Sequence, residues 1–142
     1  MTHVIPFDKF GAETVRDIGG KGLNLCQLRQ QGFEVPDGFC VSVAAFDAMR
    51  AANPALDPVM TTWVKGKDDA QNVASAWDAA AFPNALSDAI DAALSAFDDA
   101  DVFAVRSSAI VEDSAQHSFA GQFDTKLGIK GADDVRAALK AC

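Results

Sequence analysis

Arg106 closes a short apolar run, Val102 to Val105, and is followed at once by Ser107 and Ser108. A guanidinium presents a fixed fork of donors that fits phosphate oxygens, and small neighbours let backbone N–H groups reach the same anion. Farther on, Ser118-Phe119-Ala120-Gly121-Gln122 leads into a second strand-like run, with Thr125 on it. Near the start, Gly19-Gly20-Lys21-Gly22 sets a cation in a glycine-rich loop ahead of a helical segment that carries Leu25 and Leu28 and stops at Gly32. A helix N-terminus gathers free N–H groups and the positive end of the helix dipole, so a lysine there is mildly unfavourable unless an anion lies beside it. The spacing is not that of a Walker A loop, because no Gly-x-x-x-x-Gly-Lys-Ser/Thr frame exists.

Each of these residues also has a plainer use. Lys21 could be a solvated lysine at a helix start, and Arg106 could pair with Glu112 or Asp113. Ser107 and Ser108 suit bonding to phosphate and capping of a turn equally well. Gly121 lies within a strand pattern, where a glycine commonly marks close approach of a ligand or another backbone, while Thr125 also fits β-propensity alone. Adjacent carboxylates diverge on a regular element, so Glu112 and Asp113 read as a solvated face and no metal ligand is assigned. His117 reads as local structure, and no Ser/His/Asp or Cys/His constellation has workable spacing.

The elements that must position these groups follow from periodicity. Val35-Pro36-Asp37-Gly38 reads as a turn, Phe39 to Val41 as a short strand, and Ser42 as the cap of a helix through about Arg50. Pro54, Pro58 and Pro83 divide the middle into short pieces, with Trp63 and Trp77 expected to anchor neighbouring helices. Asn84 is placed to cap a helix whose Leu86, Ile90, Leu94 and Phe97 share one face, and Asp133 to cap a last helix with Val135, Leu139 and Cys142 on one side. Val102 to Arg106 suits a buried strand with Arg106 on the side of Val102 and Ala104. In the run after it, Gly121, Thr125, Leu127 and Ile129 share a face, which sets Gly121 and Thr125 roughly 13 Å apart if no bulge intervenes.

Three blocks in order, Gly-Gly-Lys-Gly with Leu23, Leu25 and Leu28, then Val35-Pro36-Asp37-Gly38-Phe39-Cys40-Val41, then Arg106 to Thr125, resemble the N-terminal ATP-binding lobe of the phosphoenolpyruvate synthase and pyruvate phosphate dikinase family, which includes the rifampin phosphotransferases. The resemblance implies an α+β fold, one lobe of an ATP-grasp-like site, with an antiparallel or mixed sheet covered by helices on one side. It implies that Lys21 and Arg106 contact the ATP phosphates and serve catalysis by neutralising charge on the transferring group, and that Gly121 and Thr125 contact the nucleotide. By the same resemblance, residues 1–142 are a partial domain, lacking the second lobe with its Mg²⁺ ligands, the phosphohistidine domain and the acceptor domain. The implied chemistry is phosphoryl transfer from ATP to an enzyme histidine and then to pyruvate, with a rifampin-type antibiotic as alternative acceptor. A truncated, non-catalytic nucleotide-binding module is the reading from a different class, and the chain alone is expected to be inactive without the remaining domains or a complementing chain.

Composition limits the partners. A net charge of −8 and a pI of about 4.5 oppose a nucleic-acid or anionic-membrane surface, so an anion must be held by local cations. Cys26, Cys40 and Cys142 lack CxxC spacing and an even count, which fits free thiols in the cytoplasm better than a disulfide or zinc framework. Met1 to Lys9 has no apolar core of signal-peptide length, and no run approaches a membrane span.

Overall fold

The computed structural model describes residues 2–66, 70–108 and 125–142. Its strands are short, and they pair as two separate ribbons rather than as the one helix-covered sheet expected from the sequence. Strand β1 (Val4–Pro6) pairs antiparallel with β2 (Phe39–Val41), setting Val4 opposite Val41 and Ile5 opposite Cys40. Side chains alternate across a strand, so this ribbon feeds two clusters. Val4 joins Ala45, Met49, Leu56, Ala80, Leu86 and Ile90 on one side, whereas Ile5 and Cys40 meet Ile18 and Cys26 on the other.

Helices close both faces. On the Ile5 side lies α1 (Val15–Gln30), and on the Val4 side lie α2 (Val43–Ala52), α3 (Leu56–Val64), α4 (Ala70–Ala79) and α5 (Asn84–Leu94). The four-residue spacing of Leu86 and Ile90 on α5 does what the periodicity predicts, since both are fully buried and each contributes roughly 1.5–3 kcal/mol. Phe97 falls beyond the end of α5, where it packs edge-on to Phe103 with ring centroids 5.1 Å apart.

The second ribbon pairs β3 (Phe103–Arg106) with β4 (Thr125–Ile129), and α6 (Ala132–Ala141) packs across both. Val105 is buried against it, but Val102, Ala104 and Arg106 are exposed, so β3 is covered on one face only. The alternation expected along β4 breaks down because three residue steps from Lys126 to Ile129 oppose two from Val105 to Phe103. Gly128, at φ 73°, absorbs the extra residue as a bulge, and Leu127 is left 75% exposed.

Several caps and anchors also differ from the sequence expectation. Ser42 precedes α2, yet its hydroxyl donates to the Thr2 carbonyl at 2.7 Å rather than capping the helix. Pro83 takes the cap position of α5 in place of Asn84, and Gly131 takes that of α6 while Asp133 accepts from Arg136 at 3.2 Å. On α6 the buried pair is Val135 and Ala138, with Cys142 exposed at the end. Trp77 does pack on the larger core and stacks on Phe46, with ring centroids 5.2 Å apart, but Trp63 is 49% exposed. Among the described residues, no helix is long and apolar enough to cross a membrane.

Candidate functional site

Thr14 starts α1 well before the glycines. Its hydroxyl accepts from the Arg16 N–H at 3.2 Å, and the Asp17 carboxylate accepts from the Thr14 N–H at 2.7 Å, a reciprocal arrangement that satisfies N-terminal donors. Bonds from the Thr14 backbone and then its hydroxyl hold the Asp17 carboxyl below its ordinary value. The helix therefore begins at Val15, and Gly19-Gly20-Lys21-Gly22 is not the open loop that the sequence suggests. It is a break inside α1: Gly19 adopts φ 71° and ψ 171°, backbone that only glycine enters without strain.

A side chain from the other end of the molecule fills the break. The Ser108 hydroxyl donates to the Ile18 carbonyl at 2.7 Å and accepts from the Gly22 N–H at 2.9 Å, so it stands between the two groups that would form the direct i to i−4 bond of a continuous helix. Packing leaves no room for other residues there. A Cβ on Gly19 would lie 1.8 Å from the Ser108 carbonyl oxygen, and one on Gly22 would lie 2.8 Å from the Cys40 sulfur. Ile18, Gly22 and Cys26, four apart, form the buried stripe of α1, in place of the Leu25 and Leu28 face read from the sequence.

Lys21 and Arg106 flank this clamp along the chain, one on each side of it. Lys21 follows the break in the next turn of α1, half-buried and engaged by neighbours, and its chain neighbour Gly22 bonds Ser108. Arg106 lies two residues before Ser108, a reach of at most ~7 Å along the chain, and is directly opposite Thr125 across the β3–β4 ribbon. Arg106 and Thr125 are both exposed. The Ser107 hydroxyl is buried and has no hydrogen-bond partner among the described residues. Ser108, by contrast, is committed to the helix. Gly121, Glu112, Asp113 and His117 lie outside the described residues.

Burial pushes the Cys40 thiol from 9.0 up to about 12, with the neighbouring Cys26 adding to the effect, and burial also raises Cys26, so both thiols are held toward the protonated form. The described residues contain no group of three or more His, Cys, Asp or Glu side chains placed to hold a metal ion.

Two features of this region were missed by the sequence reading. Thr14-x-x-Asp17 is a capping-box spacing and marks the true helix start, ahead of the glycines. The clamp by Ser108 joins groups 86 and 90 residues apart, and only the glycines crowded into a helical pattern hint at a close approach.

Residues 15–142 match the family model described as pyruvate phosphate dikinase, AMP/ATP-binding domain. The chain is 31% identical, over 99% of its length, to a rifampicin phosphotransferase of Bacillus cereus, of which it covers 17%. It is 34% identical over its whole length to a probable phosphoenolpyruvate synthase of Methanothermobacter thermautotrophicus, covering 23% of that protein. With a phosphoenolpyruvate synthase of Pseudomonas aeruginosa it shares 36% identity over 99% of the chain and 20% of the relative. The chain thus spans about a fifth of the length of these curated relatives. It belongs to the pyruvate phosphate dikinase AMP/ATP-binding domain family.

Proposed function

We propose that this chain holds the ATP phosphates in a phosphotransferase of the phosphoenolpyruvate synthase type, which moves a phosphoryl group to an enzyme histidine and then to pyruvate. The observation that carries the reading is the Ser108 clamp, which fixes the Lys21 turn of α1 against the strand bearing Arg106. Bound ATP supplies the phosphoryl group. Arg106 grips phosphate oxygens through its fork, Lys21 adds a second positive charge, and the Ser107 hydroxyl completes the set as a hydrogen-bond donor. Together they neutralise charge as it builds on the transferring group, which is how phosphoryl transfer is mostly catalysed. Thr125, opposite Arg106, and Gly121 line the nucleotide.

Mg²⁺ ligands would come from the second lobe of the parent protein. The exposure of Arg106 and Thr125 supports the same division: phosphates held there face solvent until a second, ATP-grasp-like lobe covers them and excludes water. The remaining domains of the parent enzyme, or a complementing chain, are its partners. Three free thiols support a cytoplasmic setting. A rifampin-type antibiotic is the alternative acceptor, favoured by the likeness to the Bacillus cereus rifampicin phosphotransferase.

Calorimetric titration with Mg-ATP tests the reading. Binding by the chain alone is expected at a Kd on the order of 0.1 mM or weaker, without turnover, because exposed charge contacts are worth a fraction of their enclosed value. Arg106→Ala and Lys21→Ala should each weaken it. Unchanged affinity in both variants removes these residues from the site and overturns the proposal.

A further inference from the structure

The geometry points to Ser108 as a positioning residue: its hydroxyl sets where Lys21 stands relative to Arg106, and it acts on the nucleotide only through that spacing. The inference rests on the ATP-binding reading of those two residues. A continuous helix would pair the Gly22 N–H directly with the Ile18 carbonyl and need no partner from afar. The chain instead carries Gly19, Gly20 and Gly22 within a single turn, each a poor helix former, and opens the backbone at Gly19 to φ 71°. What the opening admits is one hydroxyl, bonded at 2.7 Å and 2.9 Å, together with the backbone carbonyl of the same serine packed against Gly19.

Every element of this joint is unusually constrained. Gly19 has no space for a Cβ on the Ser108 side and Gly22 has none on the Cys40 side, so the Lys21 turn is held from two directions. Removing the hydroxyl leaves the Ile18 carbonyl and Gly22 N–H either unpaired or free to close on each other. Closure draws the two halves of α1 into line and so changes where Lys21 stands relative to the strand that ends in Arg106. Ser107, with its unpartnered hydroxyl, faces the ligand in this division of labour, and Ser108 faces the helix.

The test is a double-mutant cycle on Mg-ATP binding by the chain, using Ser108→Ala, Lys21→Ala and the double variant, with circular dichroism to verify folding. Ser108→Ala is expected to raise Kd about tenfold, equivalent to roughly 1.4 kcal/mol. In the Lys21→Ala background the same change should cost twofold or less, on the order of experimental scatter, because the group being positioned is already gone. A purely structural serine would instead weaken binding equally in both backgrounds, and that result, or wild-type affinity in Ser108→Ala, overturns the inference while leaving the nucleotide site standing. If Lys21→Ala and Arg106→Ala themselves leave affinity unchanged, both the site and the inference fall. Should Ser108→Ala not fold, Ser108→Cys preserves side-chain volume with a much weaker donor and carries the same comparison.

Discussion

Gly19→Ala measures how firmly the clamp is built. The substitution meets two separate penalties. Backbone at φ 71° and ψ 171° is essentially reserved for glycine and costs another residue about 1–3 kcal/mol. The new Cβ would also stand 1.8 Å from the Ser108 carbonyl oxygen, a backbone atom, so the strand must retreat by more than ~1 Å and both Ser108 hydroxyl bonds are lost. Leaving the Ile18 carbonyl and Gly22 N–H unsatisfied adds roughly 1–3 kcal/mol, for a total of about 2–6 kcal/mol centred near 4. Gly32→Ala is the control, because Gly32 has φ 85° with no described atom within 4 Å of its would-be Cβ. It suffers the left-handed conformation alone, about 1–2 kcal/mol, partly offset by a stiffer unfolded chain. Urea denaturation of both variants, followed by circular dichroism, should separate them by at least ~2 kcal/mol at similar m-values. Equal midpoints would mean that Ser108 yields without loss and that the joint between α1 and the β3 strand is soft.

Other changes isolate single contributions. Thr14→Ala should cost ~1 kcal/mol in the same denaturation assay, the usual worth of an N-cap hydroxyl. Arg106→Lys should weaken ATP binding nearly as much as Arg106→Ala, since an ammonium does not reproduce a bidentate fork; full retention of affinity would show that only charge matters there. Cys142 should alkylate in the native state while Cys26 and Cys40 react only on unfolding, as followed by mass spectrometry. Because burial raises Cys40 from 9.0 to about 12, the unfolded chain releases that proton first, and stability should be intact below pH 9 and fall progressively as pH rises toward 12.

Local pattern and long-range packing differ in how visible they are in the sequence. The four-residue spacing of Leu86 and Ile90, the stop at Gly32 and the placing of Arg106 on the side of Val102 and Ala104 were legible, because each follows from the period of one element, although that side of β3 is exposed where a buried strand was expected. The β4 face was not, because Gly128 inserts a bulge that reverses the alternation, and nothing in a strand-like run announces which glycine will do so. Trp63 shows the same limit from another side, since size and hydrophobicity predict burial only where a neighbouring element exists to receive the ring. That Lys21 and Arg106 would flank a joint between α1 and the end of β3 was only partly readable, from the glycines beside the lysine and the serines after the arginine. That a serine 86 residues away would replace a helical hydrogen bond was not.

The location of the clamp also has a mechanical reason. A two-stranded ribbon is marginal by itself, and β3–β4 has one face exposed and only four and five residues in its strands. Arg106 stands at the end of that ribbon, where fraying is greatest. Two supports hold it: α6, which buries Val135 and Ala138 and lets the Cys142 thiol reach the Val105 carbonyl at 3.5 Å, and the Ser108 bonds to α1. The first fixes the strand from behind, and the second fixes the point two residues past the arginine. On a chain of net charge −8, two cations bind an anion well only if their separation is set in advance, because the surrounding acidic surface opposes any loosely held phosphate. The glycines that weaken α1 therefore supply what the short ribbon lacks, an anchor for the residue two places past Arg106 on a helix fixed in the core, as the proposed site requires.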